Sequence, residues 1–134
     1  MQLAIGLSLT EDSSLVWRRV SDLDSIPRYW HGTRRFQVVE RGSDWAKANV
    51  VFAFGGAGKV EAHVDTDSKT LQIRYYDGVV KGTQVVKVRK DEIQVEWNVE
   101  FTGVYRLLQP FIKGHFRSGS AHALERLAGK SPLS

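Results

Sequence analysis

The chain has 134 residues, of which 42% are hydrophobic and 25% charged, a balance that fits a single soluble globular domain spanning 1–134 and excludes a disordered chain. Its 19 basic and 15 acidic side chains leave a net charge of +4, too modest for a nucleic-acid footprint but enough to steer toward anionic surfaces. The absence of cysteine excludes disulfides and thiolate metal sites, and no apolar run approaches the roughly 20 residues that span a bilayer.

At the start of the chain, Leu3, Ile5, Leu7 and Leu9 alternate with Ala4, Gly6 and Ser8, which predicts a half-buried strand. The same segment is too short, and lacks the basic flank, for a signal peptide, so a cytoplasmic location is expected. In TEDSSLVWRRVSDL, residues Leu15, Val16, Arg19, Val20 and Leu23 fall at helical spacing. Thr10 is the expected N-cap, and Glu11 and Asp12 suit the positive helix end. Pro27 suits the first turn of a second, short helix ending at His31 and Gly32. Tyr29 and Trp30 sit here between two charged runs, where a plain connector needs no rings. Trp30 fits an end-plug of the core, a cavity rim or a partner surface.

From Thr33 onward the period falls to two. Phe36/Val38, Val50/Phe52/Phe54, Val60/Ala62/Val64, Leu71/Ile73/Tyr75, Val86/Val88 and Ile93/Val95/Trp97/Val99/Phe101 each line one face. RGSD, GGAGK, DTDSK, YDGVVKG and RKDE carry turn chemistry between them. Six strands with short turns predict an antiparallel meander, with Lys87 and Arg89 of the penultimate strand set against Gln94, Glu96 and Glu100 of the last. The chain closes on VYRLLQPFIKGHFRSGSAHALERLAG. Here Leu108, Ile112, Phe116, Ala123 and Leu127 share a helical stripe, with Arg106, Lys113 and Arg117 opposite. Pro110 predicts a kink or a late helix start.

Several apparent motifs fail on inspection. FAFGGAGKV lacks the glycine and the Ser or Thr that a phosphate loop requires at Ala53 and Val60. Glu61, His63 and Asp65 share one strand face, but parity puts that face in solvent, so no metal is expected. His122 and Glu125 read as a surface pair. Asp65/Asp67 and Asp91/Glu92 sit in turns, and no nucleophile–histidine–acid signature is present, so no catalytic residue is assigned. The basic groups Arg18/Arg19, Arg34/Arg35 and Lys87/Arg89/Lys90 read as a mixed solvated surface.

The strand–helix–helix–six strands–helix order, VWRRVSDLDSIPRYWHG with Asp22, Pro27 and Trp30, and HFRSGSAHALERLAG together resemble the START-related (SRPBCC) superfamily of birch-pollen-allergen-like proteins. The similarity is to its polyketide cyclase/dehydrase-type members. The resemblance covers nearly the whole chain and implies an α+β helix-grip fold, a seven-stranded curved antiparallel sheet wrapped around a long C-terminal helix. It also implies a cavity between them for lipids, quinones, polyketides or hormones, with no universal catalytic motif and no cofactor.

The residues themselves bear on that cavity. Gly119 lies about 20° around the helix from Leu108, since eleven residues advance about 1100°. A glycine there leaves either space or a close helix–sheet contact. Phe52, Phe54, Tyr75 and Trp97 supply apolar walls beside Ile112. Gln84 and the Tyr75 hydroxyl are inward polar groups, provided no bulge at Gly82 turns Gln84 outward, and His115 lies near the helix's apolar edge. The candidate ligand-binding set is therefore Trp30, Phe52, Phe54, Tyr75, Gln84, Trp97, Ile112, His115 and Gly119. Three functions stay open: binding of a small hydrophobic or amphipathic ligand, cyclase/dehydratase chemistry in the same cavity, or a protein-interaction module with a vestigial cavity. A monomer or weak homodimer, with transient membrane-surface contact, is the expected state.

Overall fold

The last strand of the sheet pairs with the first, and that long-range closure sets the shape of the molecule. The computed structural model describes residues 1–130. In chain order the elements are β1 (Gln2–Ser8), α1 (Ser13–Val20), α2 (Ile26–Tyr29), β2 (Thr33–Arg41) and β3 (Trp45–Phe52). They continue with β4 (Gly56–Asp65), β5 (Thr70–Gly78), β6 (Val80–Val88), β7 (Glu92–Phe101) and α3 (Gln109–Leu127). All seven strands form one antiparallel, curved sheet in the order β1-β7-β6-β5-β4-β3-β2. β1 and β2 are neighbours in sequence but lie on opposite edges, so α1 and α2 must carry the chain across the sheet.

One face of the sheet is apolar and hidden. Val50, Phe52, Val60, Ala62, Leu71, Ile73, Val86, Ile93, Val95, Val99 and Phe101 are all buried, as the period of two requires. The C-terminal half of α3 packs on β1 and β7 through Ala123, Leu124 and Leu127. Its first half buries only Ile112. Arg19 fixes the far end of the helix by donating to the Leu127 carbonyl (2.9 Å) while pairing with Glu11 (2.7 Å). Arg126 donates to the Tyr29 carbonyl at 3.0 Å, tying α3 to α2. The long helix is thus anchored at its C-terminus and stands away from the sheet at its start.

Several local expectations are corrected. Asp12, not Thr10, caps α1, accepting from the Ser14 N–H at 2.8 Å. The helix buries Val16, Trp17 and Val20, whereas Leu15 is 39% exposed. The β3–β4 turn is Ala53–Phe54–Gly55, with Gly56 to Lys59 already in β4. Between β5 and β6 only Val79 is outside a strand. Lys87 faces Gln94 and Glu96 faces Val85, so the opposite charges across β6 and β7 are Lys81 and Glu100. Pro110 gives a late start: a 3-10 turn at Gly103–Arg106 precedes α3, with the proline in its first turn, where no N–H is missed. Leu108 is exposed and leaves the apolar stripe.

Candidate functional site

Because α3 stands off at its start, a cavity of about 410 Å³ opens between it, the start of β2, the end of β3 and β7. That volume falls in the range of small-molecule sites, which run from about 300 to 1,000 Å³. Trp97 lies on the β7 wall. Its indole N–H donates to Ser120 Oγ at 2.9 Å, both groups being buried. Trp30, the C-cap of α2, meets Trp97 edge-on at 6.2 Å, so the ring between the two charged runs both closes the core and rims the hollow. Phe116 packs edge-on to the other side of this cluster, 4.9 Å from Trp97.

Phe52 and Phe54 form the opposite wall, stacked at 5.2 Å. Phe54 belongs to the turn after β3, and Tyr105 holds that turn by donating to the Gly55 carbonyl at 2.6 Å. Ile112, His115 and Gly119 complete the helix side. At Gly119 a Cβ would meet no atom within 4 Å, so the glycine faces open space, not a close helix–sheet contact. The lining carries no carboxylate, Lys or Arg. Its polar side chains are Thr33, Ser120 and the exposed His115, which makes no hydrogen bond to any described residue.

Trp30, Phe52, Phe54, Trp97, Ile112, His115 and Gly119 line the cavity; Tyr75 and Gln84 do not. Those two are inward, as the strand parity required. No bulge forms at Gly82: the β5–β6 register runs unbroken up to it and the β6–β7 register through it, so Gln84 stays inward and is 3% exposed. They sit behind the lining rings, with Tyr75 stacked on Trp97 at 5.9 Å and the same distance from Phe52. The Tyr75 hydroxyl donates to Gln84 Oε1 over a long 3.4 Å, and Gln84 Nε2 has no partner among the described residues. Burial pushes the Tyr75 phenol pKa far above its ordinary value. Parity tells which face a side chain takes but not whether a neighbouring indole covers it.

Gly32, Thr33, Ala53, Phe116 and Ser120 were missed as site residues. The spacing of Ile112, Phe116, Ser120, Ala123 and Leu127 holds the signal for the last two, a polar hydroxyl inside an otherwise apolar stripe. On the outer face, Glu61 accepts from Arg74 (2.9 Å) and contacts His63 (2.9 Å), and the Arg74 hydrogen bond holds its carboxyl below the usual range. Among the described residues no cluster of His, Asp or Glu is arranged to hold a metal, and no helix is long and apolar enough to cross a membrane.

No protein-family model and no curated protein matches this chain. Solved structures do match in shape. The TTHA0849 protein of Thermus thermophilus superposes with a TM-score of 0.74 at 16% identity, over 98% of this chain and 100% of its own. The Zhui aromatase/cyclase of a Streptomyces species gives 0.73 at 10% identity, over 97% and 92%. A STAR-related lipid transfer protein of Xanthomonas axonopodis gives 0.62 at 9% identity, over 94% and 85%. The curved seven-stranded sheet and the long C-terminal helix closing on it are therefore the helix-grip fold of START-like proteins, as the resemblance in sequence implied.

Proposed function

We propose that the protein binds a small hydrophobic or amphipathic molecule, such as a lipid, an isoprenoid quinone or a polyketide-like aromatic, in the cavity beneath α3. The observation that carries this reading is the open space facing Gly119, bounded by Trp30, Phe52, Phe54, Trp97 and Phe116. Apolar walls with a few polar groups are the usual make-up of such sites. Affinity comes from apolar area removed from water, at about 25 cal/mol per Å² before the costs of association. Thr33, Ser120 and His115 are the groups that orient a polar end. The shape shared with an aromatase/cyclase and a lipid transfer protein supports the ligand class. Acid–base chemistry in the cavity would fall on His115, the one imidazole in the lining.

The test is native mass spectrometry of the purified protein, with titration by parinaric acid, whose fluorescence rises in an apolar site. A co-purifying apolar compound, or saturable probe binding, is expected. Gly119→Leu places a side chain in the open space and should abolish the probe signal while leaving the far-ultraviolet circular dichroism unchanged. Undiminished binding by that variant would move the site away from this cavity.

A further inference from the structure

Beside the cavity mouth the surface changes character. Val104, Leu107, Leu108 and Phe111 are 71%, 79%, 46% and 74% exposed. The other large exposed apolar side chains among the described residues, Leu15, Val39 and Tyr76, are far apart in sequence. Single exposed apolar residues are ordinary, whereas a run of four through one turn and the start of a helix marks a surface that something covers. The run occupies the 3-10 turn Gly103–Arg106 and the start of α3. It borders the cavity directly: Ile112 and His115 follow Phe111 into the lining, and Tyr105 packs on Phe54 at 5.5 Å.

Charge identifies what covers it. From Phe101 to Leu124 the chain contains no acidic residue, while Arg106, Lys113 and Arg117 are exposed along the same stretch. None of the three is in an ion pair among the described residues. A second copy docked face to face would set these cations against their own counterparts, because a two-fold contact pairs a patch with itself. A bilayer containing anionic lipid satisfies both features at once. Apolar side chains enter the headgroup–acyl boundary, and long cationic side chains reach the phosphates.

We infer that the turn at 103–106 and the N-terminal part of α3, as far as Arg117, form a reversible docking site for an anionic membrane surface. Val104, Leu107, Leu108 and Phe111 insert, and Arg106, Lys113 and Arg117 hold the headgroups. Docking rests on this surface alone. That it presents the cavity mouth to the bilayer, so that a lipid-like molecule passes between membrane and protein without crossing water, rests on the binding reading above.

Co-sedimentation of the full chain with phosphatidylcholine vesicles, with and without phosphatidylserine, tests the inference. Binding should need phosphatidylserine and weaken with added salt. Leu107→Ser/Phe111→Ser should lower the partition coefficient about a hundredfold, at roughly tenfold for each large apolar group withdrawn. Arg106→Gln/Lys113→Gln should lower it about fivefold for each cation removed. None of these positions lines the cavity, so parinaric acid binding in solution should be unchanged, which also verifies folding. Vesicle binding that is absent, indifferent to phosphatidylserine, or unaffected by both double variants overturns the inference. So does a concentration-dependent dimer in sedimentation velocity that Leu107→Ser/Phe111→Ser abolishes. Parinaric acid binding without vesicle binding sinks docking and leaves the cavity reading intact; vesicle binding without parinaric acid binding does the reverse.

Discussion

Tyr75 and Gln84 illustrate how far a single residue can be read from sequence. Strand parity put both on the hidden face, and the cost of burying an amide implied that Gln84 needs a partner. Both statements hold, but the partner is only half supplied: Oε1 accepts from Tyr75 at 3.4 Å and Nε2 is left over. What periodicity does not carry is depth, because the Trp97 and Phe52 rings line the cavity and Tyr75 packs behind them. The pair therefore acts on stability. Replacing both partners with apolar groups of similar shape removes an orphaned donor, so Tyr75→Phe/Gln84→Leu should be neutral or more stable by about 1–2 kcal/mol in urea unfolding. Gln84→Leu alone should gain less, since it strands the phenol. The alkaline side separates this from generic packing. Burial raises the folded-state pKa of Tyr75, so its contribution is present below the unfolded phenol value near 10 and is lost as pH rises beyond it. The double variant should therefore lose less stability than the parent above pH ~10; equal losses would show that Tyr75 is not the group responsible.

Among the elements, α3 shows why segment type is easier to read than segment packing. Its helical spacing was visible in the sequence, whereas Pro110 left a kink or a late start open and Gly119 left open space or a close helix–sheet contact. The exposure of Leu108 was not visible, because a stripe of apolar residues does not reveal that the helix leaves the sheet before reaching them. The β3–β4 turn is a related case. Gly55 and Gly56 signalled a break, yet Phe54 lies in the turn itself, placed there by stacking on Phe52 and by the Tyr105 bond to Gly55. Glycines within α3 give a direct test of the helix. A Cβ at Gly114 or Gly119 would meet nothing within 4 Å, so neither is required for close approach. Gly114→Ala and Gly119→Ala should each stabilise the fold by about 0.5–1 kcal/mol through helix propensity, read as a higher urea midpoint at constant m. Destabilisation by either would mean that α3 lies closer to its neighbours than described.

For the molecule as a whole, the hollow and the stability are linked. The helix is held at its far end by Arg19, Arg126 and the contacts of Ala123, Leu124 and Leu127, so the fold does not depend on anything filling the space near its start. A molecule that enters that space binds the folded state and not the unfolded chain. Stability should then rise with ligand concentration, by about 2.7 kcal/mol at a hundredfold excess over Kd. For a chain of 134 residues this corresponds to a rise in Tm of roughly 10 °C. Protein stripped of bound apolar compounds by unfolding and refolding should melt lower than freshly purified protein and recover when parinaric acid is added. Gly119→Leu separates this linkage from nonspecific surfactant effects. Its side chain fills space the ligand would use, so its Tm in the stripped state should match or exceed the parent's and should not respond to parinaric acid. If the stripped parent melts at the same temperature with and without the probe, the hollow is not a site for this class of molecule.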